Sequence, residues 1–168
     1  MEPVASIRTA TDADRDSLYS IYSAPSVAPN MGFDPCSRAA FDDIVCELES
    51  TGELLVLENH SKSIDAVCKI SRRGHRLRHS AYIGSLAIHP EKQSQGVGRH
   101  FFKTITDQLK QEGYTRLELL VAADNLRAIS FFQSFGFEIE GTLKQYFSRS
   151  GYDELFDEHI MAWVAMEK

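Results

Sequence analysis

Residues Ser85 to Phe102 read Ser-Leu-Ala-Ile-His-Pro-Glu-Lys-Gln-Ser-Gln-Gly-Val-Gly-Arg-His-Phe-Phe, and they carry a strand into a glycine-rich turn that opens straight into a helix. The apolar run Ile83 to Ile88 reads as strand, and His89-Pro90 ends it because proline cannot donate to a ladder. Gln93 to Gly98 then turns the chain into an amphipathic helix. The start of that helix is suited to an anion. Its first amides lack internal acceptors and carry the positive end of the helix dipole, and Gly96 and Gly98 have no Cβ to keep a phosphate from the backbone.

Working outward toward the C-terminus, Val97, Phe101, Ile105 and Leu109 repeat at helical spacing, Phe102 widens the stripe, and Gly113 closes the helix. Leu117, Leu119 and Val121 alternate as a strand. Ala128, Ile129, Phe132 and Phe135 mark a short helix stopped by Gly136. Phe137 to Leu143 and Glu158 to Val164 are the last two strands expected, with a loop from Lys144 to Asp157 between them.

Toward the N-terminus, Leu54 to Glu58 and Ile64 to Ser71 form a hairpin turning at Asn59-His60-Ser61-Lys62, and Ser80 to Ile88 continues the meander. The basic cluster Arg72 to His79 has no interleaved aromatics and reads as a solvated turn. Val4 to Thr9 is a strand, and Thr11 with Asp14 makes a capping-box-like start for a helix carrying Leu18, Ile21 and Tyr22. Ser23 to Phe33 holds two prolines and a glycine and is expected as a loop. Asp34, as N-cap, and Pro35, at the first helical position, restart a helix buried along Phe41, Ile44, Val45 and Leu48. The order is β-α-α-β-β-β-α-β-α-β-β.

The 168 residues suit one domain spanning 1–168, without a disulfide or a metal to hold the core. No apolar run approaches the roughly 20 residues a bilayer requires, so no membrane partner is expected. The N-terminus lacks the basic and apolar regions of a signal peptide, which places the chain in the cytoplasm. Cys36, Cys46 and Cys68 form no CxxC pair and are expected as buried free thiols, with no metal site. A net charge of −6 argues against nucleic acid as a partner and is compatible with a cationic substrate.

Three stretches together resemble the GNAT superfamily of N-acetyltransferases. Leu86-Ala87-Ile88-His89-Pro90 followed by Gln93-x-x-Gly96-x-Gly98 resembles the family's pyrophosphate loop. Asn125-x-x-Ala128-Ile129-x-Phe131-Phe132 with Phe135-Gly136-Phe137 resembles its Asn-x-x-Ala helix and Gly-Phe exit. Phe137 to Lys144, Tyr146, Gly151-Tyr152 and Ile160-Met161 are similar to the C-terminal hairpin of members that acetylate amino acids, polyamines or protein N-termini. A dinucleotide site would want Gly-x-Gly-x-x-Gly, and its third position here is Phe101.

The resemblance implies an α/β fold of the α+β type: a central, mixed, mostly antiparallel sheet of about seven strands flanked by four helices. It implies acetyl-CoA as donor, a small-molecule primary amine such as an amino acid as acceptor, and a homodimer as one assembly open to the chain. Acetylation of a protein N-terminus or lysine, and acyl-CoA binding without turnover, stand as alternatives.

Residue by residue, the resemblance implies that Gln93, Ser94, Gln95, Gly96, Val97, Gly98 and Arg99 cradle the pyrophosphate. Leu86, Ala87 and Ile88 would pair with the pantetheine arm, and Ala128 and Phe132 would border the cofactor. A bulge around Leu86 to Ala87 would free an amide to polarise the thioester. Asn125 reads both as a bond to the cofactor arm and as an N-cap. Met31, Phe33, Tyr82, Tyr146 and Tyr152 would wall the acceptor, alongside Phe147, with Asp153, Glu154, Asp157 and Glu158 as ammonium partners or as a solvated turn.

The proton transfers depart from the family. Its base positions fall on Tyr82 and Gly84, neither of them a base at neutral pH. A water chain, Glu118 or an amine that arrives neutral remain, the water chain ranked first. The family's acidic tyrosine is Phe132 here. Tyr146 is the candidate substitute, as acid or simply as a wall of the pocket.

Overall fold

The computed structural model describes residues 5–34 and 36–166. Val4, expected to open the first strand, and Pro35, expected at a first helical position, lie outside the described residues. Among them are seven strands: β1 (Ser6–Thr9), β2 (Glu53–Glu58), β3 (Ile64–Arg72), β4 (Ser80–Ile88), β5 (Arg116–Ala122), β6 (Glu138–Ser148) and β7 (Leu155–Val164). Four α-helices accompany them: α1 (Arg15–Tyr22), α2 (Arg38–Ser50), α3 (Val97–Gln111) and α4 (Leu126–Gln133). The strands form one sheet in the order β1-β2-β3-β4-β5-β7-β6. β4 and β5 run parallel, whereas β1/β2, β2/β3, β5/β7 and β6/β7 are antiparallel. The expected element order and mixed, mostly antiparallel sheet are thus observed.

Two compact units divide the chain: the described residues up to Ser71 with Ile83–Ile105, and Arg72–Tyr82 with the described residues from Thr106 onward. In the first, Leu18, Ile21, Tyr22, Phe41, Val45, Val56 and Ala87 belong to one buried cluster. Tyr19 and Phe41 meet edge to face at 5.4 Å. The Asp14 carboxylate accepts from the Thr11 amide at 2.8 Å, as the capping pattern requires, but the chain makes a 3-10 turn at Asp12–Asp14 before α1 begins. Arg8 grips that carboxylate with two bonds of 2.7 and 2.9 Å and reaches Glu58 at 2.6 Å, tying β1 to β2 and to the start of α1.

α2 begins later than expected. Asp34 lies in a loop, and Ser37 is the N-cap, its extended backbone letting Oγ accept from the Ala40 amide at 3.2 Å. The expected loop Ser23 to Phe33 contains a 3-10 turn at Ala28–Asn30 and buries Ala24, Val27 and Ala28. Of the thiols only Cys68 is buried; Cys36 is half-buried and Cys46 is exposed, because it lies off the Phe41–Val45 stripe of α2.

In the second unit Leu117, Leu119, Val121 and Met161 are buried, and the Phe132 and Phe137 rings meet at a tilt with centroids 6.3 Å apart. Gly136 takes φ +83° beside Trp163, a turn that a side chain would strain. β6 and β7 are longer than expected, eleven and ten residues. The expected loop Lys144–Asp157 is therefore mostly strand, with the turn confined to residues 149–154. A bulge explains how pairing survives: the register shifts between Leu143 and Phe147, Gln145 sits at φ +50°, and its amide donates to Asp157 Oδ1 at 2.8 Å. The cluster Arg72 to His79 is exposed, yet Arg72 pairs with Glu112 and Arg73 with Glu118.

Candidate active site

In the first unit the feature of interest is an irregularity in β4. Ser85 occupies φ +50° in mid-strand, a left-handed conformation that costs a non-glycine residue about 1–2 kcal/mol. The buried Tyr22 hydroxyl donates to the Ser85 carbonyl at 2.7 Å. A trans peptide sets the N–H of one residue opposite the C=O of the residue before it. Holding the Ser85 carbonyl on Tyr22 therefore aims the Leu86 amide the other way, and Leu86 is where the expected bulge falls.

After β4 the chain passes a 3-10 turn at Pro90–Lys92. The Gln93 side chain donates to Ile88 O and to Ser26 Oγ, both at 3.2 Å, so it pins the loop rather than reaching outward. Gln95 likewise donates back to Glu91 O. Ser94 and Gly96 both have positive φ, at +61° and +83°, which curls the main chain ahead of α3. Successive amides in such a curl make an anion-binding concavity, and the positive end of the α3 dipole extends it. At Gly98 an added Cβ would lie 3.2 Å from Ile88, so glycine lets the helix start close to β4. Met31 and Phe33 are half-buried and pack on the cluster that includes Tyr22; Phe33 meets Tyr22 edge to face at 5.4 Å.

The second unit holds the other expected residues. Asn125 caps α4, its Oδ1 accepting from the Ala128 amide at 3.2 Å, which leaves its amide group for other partners. Phe132 is buried and packs on Phe131 and Phe137. Tyr146 is 54% exposed on β6 beside the Gln145 bulge. Tyr152 is exposed in the hairpin turn, edge-on to Phe156 at 5.4 Å. Arg149 lies over Phe156 at 4.3 Å and bonds Asp124 at 2.8 Å, fastening the hairpin beside the residue that precedes Asn125.

Tyr82 is half-buried, and burial first, then the nearby Glu158 and Tyr146, push its phenol up to about 12. Leu120 supplies a main-chain hydrogen bond to it. Glu118 does not stand open: Arg73 donates to it at 2.9 Å and Arg116 at 2.6 Å. Glu158 is half-buried, and that burial raises its pKa above the usual carboxylate range.

Helical spacing marks Tyr22 only as a stripe residue, since it cannot say that a hydroxyl will find a strand carbonyl 63 residues away. Nor could it show the two arginines on Glu118. Among the described residues no cluster of three His, Cys, Asp or Glu side chains could hold a metal ion, and no helix is long and apolar enough to cross a membrane. A separate polar cleft of about 530 Å³ in the first unit, lined by Asp16, Asp65, His89 and Lys92 among others, includes none of the expected site residues.

Residues 16–137 match the model of the acetyltransferase (GNAT) family. A 65-residue stretch, 39% of this chain, is 35% identical to the ribosomal protein bS18-alanine N-acetyltransferase of Escherichia coli and takes in 43% of that protein. The chain spans about two fifths of the length of the curated relatives it first matches. The crystal structure of the Escherichia coli ribosomal-protein-S18-alanine N-acetyltransferase superposes with TM-score 0.74 at 23% identity, covering 98% of this chain and 97% of that one. A phosphinothricin acetyltransferase from Sinorhizobium meliloti, solved in complex with AcCoA, superposes with TM-score 0.74 at 18% identity, covering 97% and 89%.

Proposed function

Because the chain belongs to the acetyltransferase (GNAT) family, we propose that it transfers the acetyl group of acetyl-CoA to a primary amine. The observation that carries this reading is the continuous path in one unit from the left-handed Ser85, through the Ser94–Gly96 curl, into the first turn of α3. A diphosphate suits the curl, where amides of Ser94 to Arg99 and the helix dipole favour negative charge. Main-chain groups of Leu86 to Ile88 serve the pantetheine arm. The Leu86 amide serves the thioester oxygen, where a fixed donor stabilises the oxyanion as it develops. Asn125, Ala128 and Phe132 border the cofactor in this reading, and Tyr146 is the candidate acid for the departing thiolate. The fold and the family support acetyl-CoA as the donor, and the protein works in the cytoplasm.

The acceptor we favour is a small amine such as an amino acid, with Tyr82, Tyr146 and Tyr152 near it. Met31 and Phe33 contribute by backing the Tyr22 cluster, being half-buried against it. A second reading, transfer to the α-amino group of a protein, draws on the 35% identity with the bS18-alanine N-acetyltransferase.

Thermal unfolding with added acetyl-CoA tests the cofactor, since a ligand bound only by the native state stabilises by RT ln(1 + [L]/Kd). Release of free CoA thiol over a panel of amino acids, polyamines and N-terminal peptides then names the acceptor. A melting shift without thiol release on any of them would leave an acyl-CoA binder and overturn the transferase.

A further inference from the structure

We propose that Glu158 on β7 is the general base that takes a proton from the acceptor ammonium, a role that rests on the acetyl-transfer reading above. Register places it. Tyr82 stands opposite Glu118, Leu120 opposite Ile160, Ala122 opposite Glu158, and Glu158 opposite Leu143. Cross-strand partners and alternate residues along a strand share a face of the sheet. Glu158 therefore shares a face with Tyr82, and its neighbours there are the apolar Ala122, Leu120, Ile160 and Leu143.

Availability singles it out. Glu118 is held by Arg73 and Arg116, Glu140 by Arg116, Asp124 by Arg149, and Asp157 by Lys144 and the Gln145 amide. Asp153 and Glu154 are exposed in the hairpin turn. Among the described residues Glu158 has neither an ion pair nor a side-chain hydrogen bond, although it is half-buried. Such a carboxylate still has its lone pairs to give, and desolvation makes it a stronger base than an exposed one. The titratable and charged groups on its surroundings are Tyr82 from β4, Tyr146 from β6 and Glu118 from β5, the last already matched by its two guanidiniums.

The step balances without any further reactant. The Glu158 carboxylate takes one proton from the ammonium and becomes a carboxylic acid. The freed nitrogen lone pair forms the N–C bond to the thioester carbon, and the C–S bond breaks as the carbonyl re-forms. Sulfur leaves with its electron pair and receives the second nitrogen proton, and Glu158 returns its proton to solvent. The products are the amide, the CoA thiol and one proton.

The test compares wild type with Glu158→Gln and Glu158→Asp, using acetyl-CoA and the best acceptor from the amine panel across pH 6 to 10. For Glu158→Gln we expect kcat/KM for the amine to fall about 10²–10³-fold at neutral pH, with acetyl-CoA affinity unchanged. The deficit shrinks as pH rises, because the amine then arrives neutral in growing proportion. Glu158→Asp keeps the carboxylate one methylene short and recovers part of the rate; it also serves if the glutamine variant does not fold. A kcat/KM within threefold of wild type at every pH overturns the proposal. So does a rise in KM with kcat and its pH profile intact, which would make Glu158 an ammonium anchor rather than a base. If wild type itself binds acetyl-CoA but releases no thiol, the transferase reading fails first, and the base falls with it.

Discussion

The Tyr22 hydroxyl and the Ser85 carbonyl are 2.7 Å apart, joined by a hydrogen bond from a ring only 1% exposed. Complete burial pushes the Tyr22 phenol well above its ordinary pKa, so it stays a donor throughout the working pH range. The bond fixes one peptide plane and thereby the direction of the Leu86 amide. Tyr22→Phe removes the donor while keeping the ring. It leaves a carbonyl unpaired, at a cost of about 1–3 kcal/mol, read as a lower urea midpoint. If the Leu86 amide polarises the thioester, kcat falls about tenfold or more while acetyl-CoA affinity, set by the loop after β4, holds. Equal losses in affinity and kcat would mean that Tyr22 supports only the fold.

The phosphate curl makes a second prediction. Gly96→Ala forces a Cβ into φ +83°, which costs about 1–2 kcal/mol of stability. Gly98→Ala instead brings a Cβ to 3.2 Å from Ile88 in an otherwise ordinary conformation. Both should weaken acetyl-CoA binding in titration calorimetry, and Gly96→Ala should also lower the melting temperature more. Unchanged affinity in both variants would remove the loop as the diphosphate seat.

Much of this was legible in the sequence because strand and helix periodicity, glycine positions and caps are local. The Asn125 cap follows from chain neighbours alone, and so does the helix stop at Gly136. What escaped was long-range or a matter of exposure. The β6 bulge depends on Asp157 reaching the Gln145 amide from the other strand. Asp34-Pro35 is a strong local signal for the start of α2, whereas Ser37 supplies the cap. For the bases, sequence lists carboxylates without saying which are already claimed. Arg73 and Arg116 on Glu118, set against the unpaired Glu158, needed three strands and a turn in place.

Arg8 joins Asp14 and Glu58, and this sets a pH dependence of stability. The Arg8 guanidinium holds Asp14 below the usual carboxylate range, and Lys62 followed by Arg8 does the same for Glu58. Groups whose folded pKa is depressed contribute stability above the unfolded pKa, and that contribution is lost as pH falls through the folded value. The unfolded values are about 3.9 and 4.3, so the loss begins as pH drops below about 5. Urea midpoints measured from pH 7 to pH 3 should fall in wild type and fall less steeply in Arg8→Met, whose midpoint is already lower at pH 7. Parallel curves for the two proteins would show that other carboxylates govern acid unfolding.

Glu118 provides a control for the Glu158 base. Both of its oxygens accept from guanidiniums, and to take a proton from an amine it would have to release one of them. Glu118→Gln should leave the pH profile of kcat/KM as in wild type. The cost to stability should be about 1 kcal/mol or less, since Arg73 is well exposed and such pairs are screened. A fall in kcat/KM of about 10²-fold or more at neutral pH in Glu118→Gln would transfer the base from β7 to β5.

Tyr146 carries the last prediction. The Gln145 bulge, held by Asp157, presents it on the surface of β6, 54% exposed. Exposure means that Tyr146→Phe should not shift the melting temperature. As an acid for the thiolate, its loss should lower kcat about 10²-fold, the low end of general acid catalysis. A leaving thiol with an ordinary pKa of about 8.5 can depart without an acid, which is why the effect should stay at that low end. Phe132→Tyr in the Tyr146→Phe background restores a phenol where the resemblance puts the family's own, and regain of kcat there would identify the lost function as proton donation. An unchanged kcat in Tyr146→Phe alone would reduce Tyr146 to a wall of the acceptor site.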